Sequence, residues 1–469
     1  MERPRFVPQN GNERSQFNRG GRETKVTVYE SKKPFSSMVD FENGTIERQI
    51  FSDDEIYKLE LERIFARCWN FMCHESQIAK PGDFFMTFIG SESVIATRDK
   101  SGKLQVFLNS CRHRGNAVCR GEQGNARSFL CTYHGWTYSL EGELVGVPGY
   151  KNLYDSKLDR SQWGLVKAGK VASYKGFVFA TMDPEAPDLE EYLGPVGRMG
   201  MDLLAERGDE LVVVNGVQKN IMGCNWKFAV DNLFDYYHGD LSHASMTALG
   251  TRPPGVSQHP DHRTVIGEYG HAIGGARFSD AQWDKLKAGE LPKRAFAHQN
   301  DDWRLRPEAQ EALGEMRDTG GHVNIFPNLW MSSNQLSLRI PRGPTTTEIW
   351  WFAFTPKGLD EETRKKWVFG NNHVFGPAGL WEQDDGENWD QSTRAMSGPI
   401  AQKHPLNFQM GLGRVPLHTT NQGVVYANTG APTEDPQRWT WKSWTEWMDA
   451  DSWAVLRKNH TDPKSLLVL

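Results

Sequence analysis

Residues 111–136 read Cys111-Arg-His113-Arg-Gly115-Asn-Ala-Val-Cys119-Arg-Gly-Glu-Gln-Gly-Asn-Ala-Arg-Ser-Phe-Leu-Cys131-Thr-Tyr-His134-Gly135-Trp136. Two mixed pairs stand out, Cys111-x-His113 and, seventeen residues later, Cys131-x-x-His134. Such pairs suit a [2Fe–2S] cluster with both thiolates on one iron and both imidazoles on the other. Replacing two anionic ligands with neutral ones removes negative charge and raises the reduction potential far above that of an all-cysteine cluster. Each pair runs into a glycine, Gly115 and Gly135. Glycine lets backbone amides turn toward the sulfurs, where hydrogen bonds tune the potential. A structural zinc site also takes two Cys and two His, but zinc modules pair Cys with Cys and His with His along the chain. Four unrelated buried residues would leave both glycines accidental.

Around this stretch the apolar period is two. Residues 84–89, 94–98 and 104–108 read as strands, with a turn at Asp99-Lys-Ser-Gly102. Residues 128–130 lead into the second loop, 136–145 read as a hairpin around Glu141-Gly142, and 176–182 as a last strand. The acidic, proline-bearing stretch 183–195 reads as a boundary. The expected organisation is an N-terminal arm and helix over 1–65 that pack with the catalytic domain, an antiparallel β domain over 66–185 that holds the cluster, and a catalytic domain over 186–469. Residues 1–30 are polar with scattered arginines, which suits an extended arm on a neighbouring subunit or a solvated tail. Residues 53–66 have helical spacing. Beyond 186, strands at 210–217, 336–340 and 348–354 mix with helices around 224–238 and 359–368 and lack βαβ regularity. The fold class is therefore α+β, with the catalytic part built on an antiparallel sheet.

The chain's 469 residues allow two or three domains, and 38% hydrophobic content with 17 Trp and 24 Phe suits aromatic-lined interiors. A net charge of −5 argues against nucleic-acid binding. No stretch approaches the roughly twenty apolar residues of a bilayer span, and the N-terminus lacks an apolar signal core, so a cytoplasmic location is expected. Cys68, Cys73, Cys119 and Cys224 read as reduced buried thiols.

A second constellation is Asp231-Asn232-Leu-Phe-Asp235-Tyr-Tyr-His238-Gly239-Asp-Leu-Ser-His243. Asp231, Asp235 and His238 fall at i, i+4 and i+7, one face of a helix. His243 lies about 140° further round an ideal helix than His238, and Gly239 suggests that the helix loosens there. Two imidazoles plus one carboxylate form the usual site of a non-haem Fe(II) with open positions for O₂. The candidate source of that carboxylate is Trp381-Glu382-Gln-Asp384-Asp385-Gly-Glu387-Asn-Trp389.

Taken together and in this order, these motifs resemble the large (α) subunit of Rieske aromatic-ring-hydroxylating dioxygenases. The resemblance spans residues 111–389. It implies that Cys111, His113, Cys131 and His134 hold the Rieske cluster, and that His238, His243 and Asp385 hold the mononuclear iron, with Asp384 as ligand if the register slips by one. It implies that Asp235 bridges a Rieske histidine of the neighbouring subunit to an iron-ligand histidine of its own. The motif commonly opens Glu-Asn; here it opens Asp231-Asn232, and no catalytic role is assigned to Asp231. By position, Asn232, Gly239, Thr247, His322, Asn324, Phe375 and Trp381 are pocket candidates. The family takes electrons from NAD(P)H through a ferredoxin reductase and a ferredoxin, and adds both atoms of O₂ to a ring, giving a cis-dihydrodiol. Its α chains form a ring capped by small β subunits, an α3β3 hexamer.

Three rivals follow from the same motifs. A Rieske electron carrier has an extra cysteine in each loop, where this chain has Asn116 and Tyr133. A Rieske monooxygenase or demethylase usually has a shorter chain, and a zinc-stabilised binding protein would be colourless. Substrate is open between a polycyclic or biaryl hydrocarbon and an aromatic carboxylate such as phthalate. Arg339 and Arg342 could anchor a carboxylate, although a late-strand arginine more often faces solvent or a subunit contact.

Overall fold

The computed structural model describes residues 33–251, 255, 261–291 and 300–469. The expected arm at 1–30 lies outside the described residues. The largest element is an antiparallel sheet. Its order is Leu211–Val213, Thr346–Pro356, Gln335–Gly343, Leu329–Ser332, His322–Ile325, Ala272–Ala276, His262–Ile266, Val425–Asn428 and His418–Thr419. Gln218–Met222 also pairs with Thr346–Pro356. Its central strands read as apolar runs rather than alternations because both faces are covered; Leu338 and Trp350 are cross-strand partners and both are buried.

The cysteine–histidine pairs belong to smaller antiparallel sheets. Glu92–Arg98 is flanked by Asp83–Ile89 and Leu104–Leu108, and Thr137–Tyr138 pairs with both Phe129–Leu130 and Leu144–Gly146. The hairpin turns at Gly142, whose φ of +82° favours glycine. Asn70–His74 pairs with Phe177–Thr181 and packs on the large sheet, with Phe71 edge-on to Phe352 at 5.6 Å. That contact makes one core continuous across the molecule, while a separate small core surrounds the two cysteines.

Several expected elements take a different shape. The helix around 224–238 stops at Asp231, since its regular part is only Trp226–Asp231. Asp235 Oδ1 accepts the amides of Tyr237 and His238 at 2.9 and 3.2 Å, a side-chain turn that competes with helix. Asp231, Asp235 and His238 therefore do not share a helical face: Asp231 accepts Trp441 Nε1 at 2.7 Å, whereas Asp235 meets His238. Of the strand expected over 210–217 only Leu211–Val213 forms; the chain turns at Gly216 with φ +93° before a separate strand, Gln218–Met222. The boundary 183–195 is shorter than expected, because helix Leu189–Ala205 begins inside it and kinks at Gly194-Pro195. The helix of 359–368 extends over Glu361–Val374, and Asp360 caps its N-terminus.

Helix Asp435–Asp449 buries Trp439, Trp441, Trp444 and Trp447. It also fixes the described N-terminal residues, since Phe35 N donates to Asp449 Oδ1 at 2.7 Å and Arg67 Nη2 to the Ala450 carbonyl at 2.6 Å. Glu60 ties three helices together. Its carboxylate is fully buried and accepts Lys227 Nζ at 2.5 Å and the indoles of Trp226 and Trp444, each at 2.8 Å.

Removing the cation alone leaves a buried charge uncompensated. Lys227→Met should cost about 3–5 kcal/mol, read as a lower melting temperature and denaturation midpoint. Glu60→Gln combined with Lys227→Met should cost less than the sum of the single changes.

Candidate functional site

The two cysteine loops have the same backbone wiring. Cys111 N donates to Asn116 O at 2.9 Å and Gly115 N to Cys111 O at 2.8 Å, while Cys131 N donates to Trp136 O at 2.8 Å and Gly135 N to Cys131 O at 2.9 Å. Gly115 and Gly135 have φ of +73° and +72°, so each loop closes through a left-handed residue. A side chain at Gly135 would also meet Pro148 Cγ at 2.8 Å. The loops bring His113 and His134 together with ring centroids 4.5 Å apart, and His113 stacks on Trp136 at 5.0 Å.

Both sulfurs are buried and have donors beside them. Tyr138 Oη lies 3.3 Å from Cys111 Sγ, and Asn116 Nδ2 lies 3.6 Å from Cys131 Sγ. Burial works to raise the Cys131 pKa. Hydrogen bonds from the Tyr133 amide, Asn116, Cys111 and the His134 amide outweigh it and hold the thiol below its ordinary value. Thiolate-stabilising donors beside the sulfurs and two imidazoles brought ring to ring match the donor chemistry of a mixed Cys/His [2Fe–2S] cluster.

The second cluster of ligating groups is His238, His243 and Asp385, whose ligand atoms all lie within 4.8 Å of one another. The two Nε2 atoms are 3.2 Å apart, and Asp385 Oδ1 is 3.2 Å from His238 Nε2 and 3.4 Å from His243 Nε2. His238 ends the irregular segment after Asp231, and His243 sits between the short helices Gly239–Ser242 and Ala244–Ala248. Asp385 is buried in helix Leu380–Met396. Three donors of two kinds facing one point could hold a divalent metal. Asp384, one residue earlier, faces the other side of His243, with Oδ2 3.5 Å from Nδ1.

Asp235 Oδ2 is 3.2 Å from His238 Nδ1. Burial would lower the His238 pKa, but hydrogen bonds to Asp235 and Asp385 override it and raise it to about 10. Burial would likewise raise the Asp235 pKa, and the His238 contact holds it down. A cation bound at His238 Nε2 must displace that proton, so metal uptake releases acid.

The trio opens on a cavity of about 930 Å³. Trp381 stacks on His243 at 5.5 Å and packs edge-on to Phe375 at 5.9 Å; Phe375 stacks on Trp351 at 4.9 Å and meets Trp330 edge-on at 4.7 Å. One wall is thus a continuous aromatic surface running away from an imidazole of the trio. His322 Nδ1 donates to the Leu233 carbonyl at 2.9 Å, and burial lowers its pKa to about 3, so the ring is neutral.

Of the sequence-derived pocket residues, Asn232, Gly239, His322, Phe375 and Trp381 line this cavity, whereas Thr247 and Asn324 are not among its lining. Asn324 is fully buried in strand His322–Ile325. Arg342 pairs with Glu348 at 2.5 Å and lies over Phe88, away from the cavity. Arg339 is neither on a solvent face nor exposed at a subunit contact, as a late-strand position suggested; it is buried and lines the cavity, because both faces of the sheet are covered. The contributions of Trp330, Trp351 and Glu382 to the wall are not apparent from local sequence.

The family described as "Ring hydroxylating alpha subunit (catalytic domain)" matches residues 201–422, and the "Rieske [2Fe-2S] domain" matches residues 68–174. The α subunit of biphenyl dioxygenase from Paraburkholderia xenovorans is 37% identical over 443 residues, which is 90% of this chain and 94% of that one. The α subunit of benzene 1,2-dioxygenase from Pseudomonas putida is 33% identical over 448 residues, 90% and 95% of the two chains. The crystal structure of naphthalene 1,2-dioxygenase from Rhodococcus sp. with indole superposes with a TM-score of 0.74 at 34% identity, covering 87% of this chain and 95% of that one.

The fold and the two ligand clusters define an iron-dependent oxygenase with a Rieske domain. The chain belongs to the α subunits of the Rieske aromatic-ring-hydroxylating dioxygenases. Its cofactors are accordingly a Rieske [2Fe–2S] cluster and a mononuclear iron. Family membership sets aside the zinc-binding and stand-alone electron-carrier readings.

Iron analysis distinguishes the two neighbouring aspartates. Asp385→Ala should lose mononuclear iron while keeping the visible spectrum of the cluster. Asp384→Ala, which removes the contact behind His243 and the acceptor of Ser245 Oγ, should weaken iron retention or activity by about 10–100-fold. Full iron retention in Asp385→Ala would exclude it as a ligand.

Proposed function

We propose that Cys111, His113, Cys131 and His134 ligate the cluster, that His238, His243 and Asp385 ligate Fe(II), and that Asp235 links the two centres of neighbouring subunits. The observation that carries this reading is the convergence of two imidazoles and one carboxylate within 4.8 Å on the wall of an aromatic-lined cavity. When bound, the two metal groups supply single-electron delivery and O₂ activation. The chain's own residues hold an aromatic ring beside the ligand trio. Trp381 and Phe375 offer it flat and edge contacts, and the apolar side chains Leu233, Val323 and Val374 exclude water. Asp235 keeps His238 in one tautomer, with Nε2 turned to Asp385.

The reaction is ring dihydroxylation with both atoms of O₂, giving a cis-dihydrodiol, on a hydrocarbon or an aromatic carboxylate. The division we propose is 1–65, 66–185 and 186–469, supported by the separate small core around the cysteine loops. We further propose an α3β3 assembly with a small β subunit, fed from NAD(P)H by a ferredoxin reductase and a ferredoxin. A cytoplasmic location is supported by six cysteines that are all unpaired and buried. No described helix is long and apolar enough to cross a membrane.

The test is turnover under isotopically labelled O₂ with β subunit, ferredoxin and reductase supplied. Two labelled atoms per diol are expected; one labelled atom would make the enzyme a monooxygenase. Asp235→Asn should keep both metals and a reducible cluster, yet slow oxidation of the pre-reduced cluster by substrate and O₂ by about 10–100-fold or more. Single-turnover spectroscopy reads this rate, and a wild-type rate would make Asp235 an ordinary loop acid.

A further inference from the structure

One wall of the cavity is chemically at odds with a pocket for hydrocarbons alone. Arg339, on strand Gln335–Gly343, lines it although only 2% of the residue is exposed. Its Nε donates to the Ala229 carbonyl at 2.7 Å, and its Nη1 is buried with no partner. Its guanidinium carbon lies 5.0 and 5.7 Å from the ring centroids of Trp330 and Trp351, so indole faces cover it. The indole nitrogens of Trp330 and Trp389 are likewise buried without acceptors, and both residues line the same cavity, while the Trp351 indole turns toward Glu382.

Two other arginines of the cavity are neutralised by carboxylates. Arg304 pairs with Asp301 at 3.1 Å and Arg277 with Asp318 at 3.0 Å. No carboxylate among the described residues comes within ion-pair distance of Arg339; Glu382 and Asp385 act on it through their fields, and of the Glu382 oxygens Oε2 accepts the Gly376 amide at 3.1 Å while Oε1 is buried without an ion-pair partner. A buried cation surrounded by donors that lack acceptors is a site waiting for an anion, since charge-assisted hydrogen bonds to a carboxylate satisfy the guanidinium and balance its charge.

We propose that Arg339, with Trp330 and Trp351, anchors a carboxylate carried by the aromatic substrate, whose ring then lies along Phe375 and Trp381 toward His238, His243 and Asp385. This rests on the ring-hydroxylation reading and names its substrate class as aromatic acids. The aromatic wall joining Trp351 to His243 through Phe375 and Trp381 gives the ring a track between anchor and ligand trio. A neutral arene of the same shape leaves the guanidinium without an acceptor, and a site built to hydrogen-bond a substituent discriminates strongly against its absence.

The test titrates the metal-loaded holoenzyme with 2-naphthoate and with its neutral isostere 2-naphthamide, following tryptophan fluorescence and calorimetry. The wild type should bind the carboxylate at least about tenfold more tightly, since the amide carbonyl offers the guanidinium one neutral hydrogen bond in place of a charge-assisted, bidentate pair. Arg339→Gln should erase the preference, leaving naphthamide binding within about twofold, and Arg339→Lys should fall between because it keeps charge without the planar fork. Equal affinities in the wild type, which needs no variant, overturn the proposal. So does equal loss of both ligands in Arg339→Gln when its cluster spectrum is intact. Turnover separates this proposal from the broader one. Diols from neutral arenes without any carboxylate preference sink the anchor and leave ring hydroxylation standing; tight carboxylate binding without oxygenated product does the reverse.

Discussion

The buried carboxylate of Glu60 is the constraint on which the site's position depends. It joins the N-terminal helix Asp54–Glu60, the short helix Trp226–Asp231 and the C-terminal helix Asp435–Asp449 through one ammonium and two indole donors. A buried ion pair contributes little net stability by itself, but it permits one arrangement and penalises others. Here that arrangement fixes the first turn of helix Trp226–Asp231, and so the place from which the irregular segment carrying Asp235 and His238 departs. Trp441 reinforces it from the same C-terminal helix by holding Asp231. The segment carrying Asp235 and His238 is thus positioned by residues far from it in the chain.

That segment's departure from helix is what makes the trio possible. On an unbroken helix His238 and His243 would diverge by about 140°, and their Nε2 atoms could not approach to 3.2 Å. The Asp235 turn bends the backbone so that both imidazoles meet Asp385, which arrives from helix Leu380–Met396. The same carboxylate that breaks the helix also orients His238, so one side chain sets both the path of the backbone and the tautomer of the ring. Away from the trio, the cavity changes from carboxylate-rich to aromatic and then to cationic at Arg339, whose burial lowers its pKa only to about 10 and leaves it charged. Glu382 beside it is pushed up to about 7 by burial and therefore only partly offsets that charge near neutral pH.

Much was legible in the sequence because the chemistry is local. The spacing and glycines of Cys111–Gly115 and Cys131–Gly135 carry the cluster reading on their own, since a two-residue reach between ligands and a left-handed glycine are properties of a single loop. Short-period apolar alternation likewise located the strands around them, and the order of the motifs carried the family resemblance. The C-terminal tryptophans at 439, 441, 444 and 447 lie on helix Asp435–Asp449, where the core covers all four. What only the tertiary structure decided is everything that depends on chain segments meeting: which of Asp384 and Asp385 faces the imidazoles, where the helix after Cys224 breaks, and that Arg339 is buried beside Trp330 and Trp351 rather than solvated. Periodicity reports which face of an element is covered, not what covers it. The partners of Asp385, Asp231 and Arg339 lie on strands and helices whose approach is set by packing of the whole core, and no local pattern encodes that.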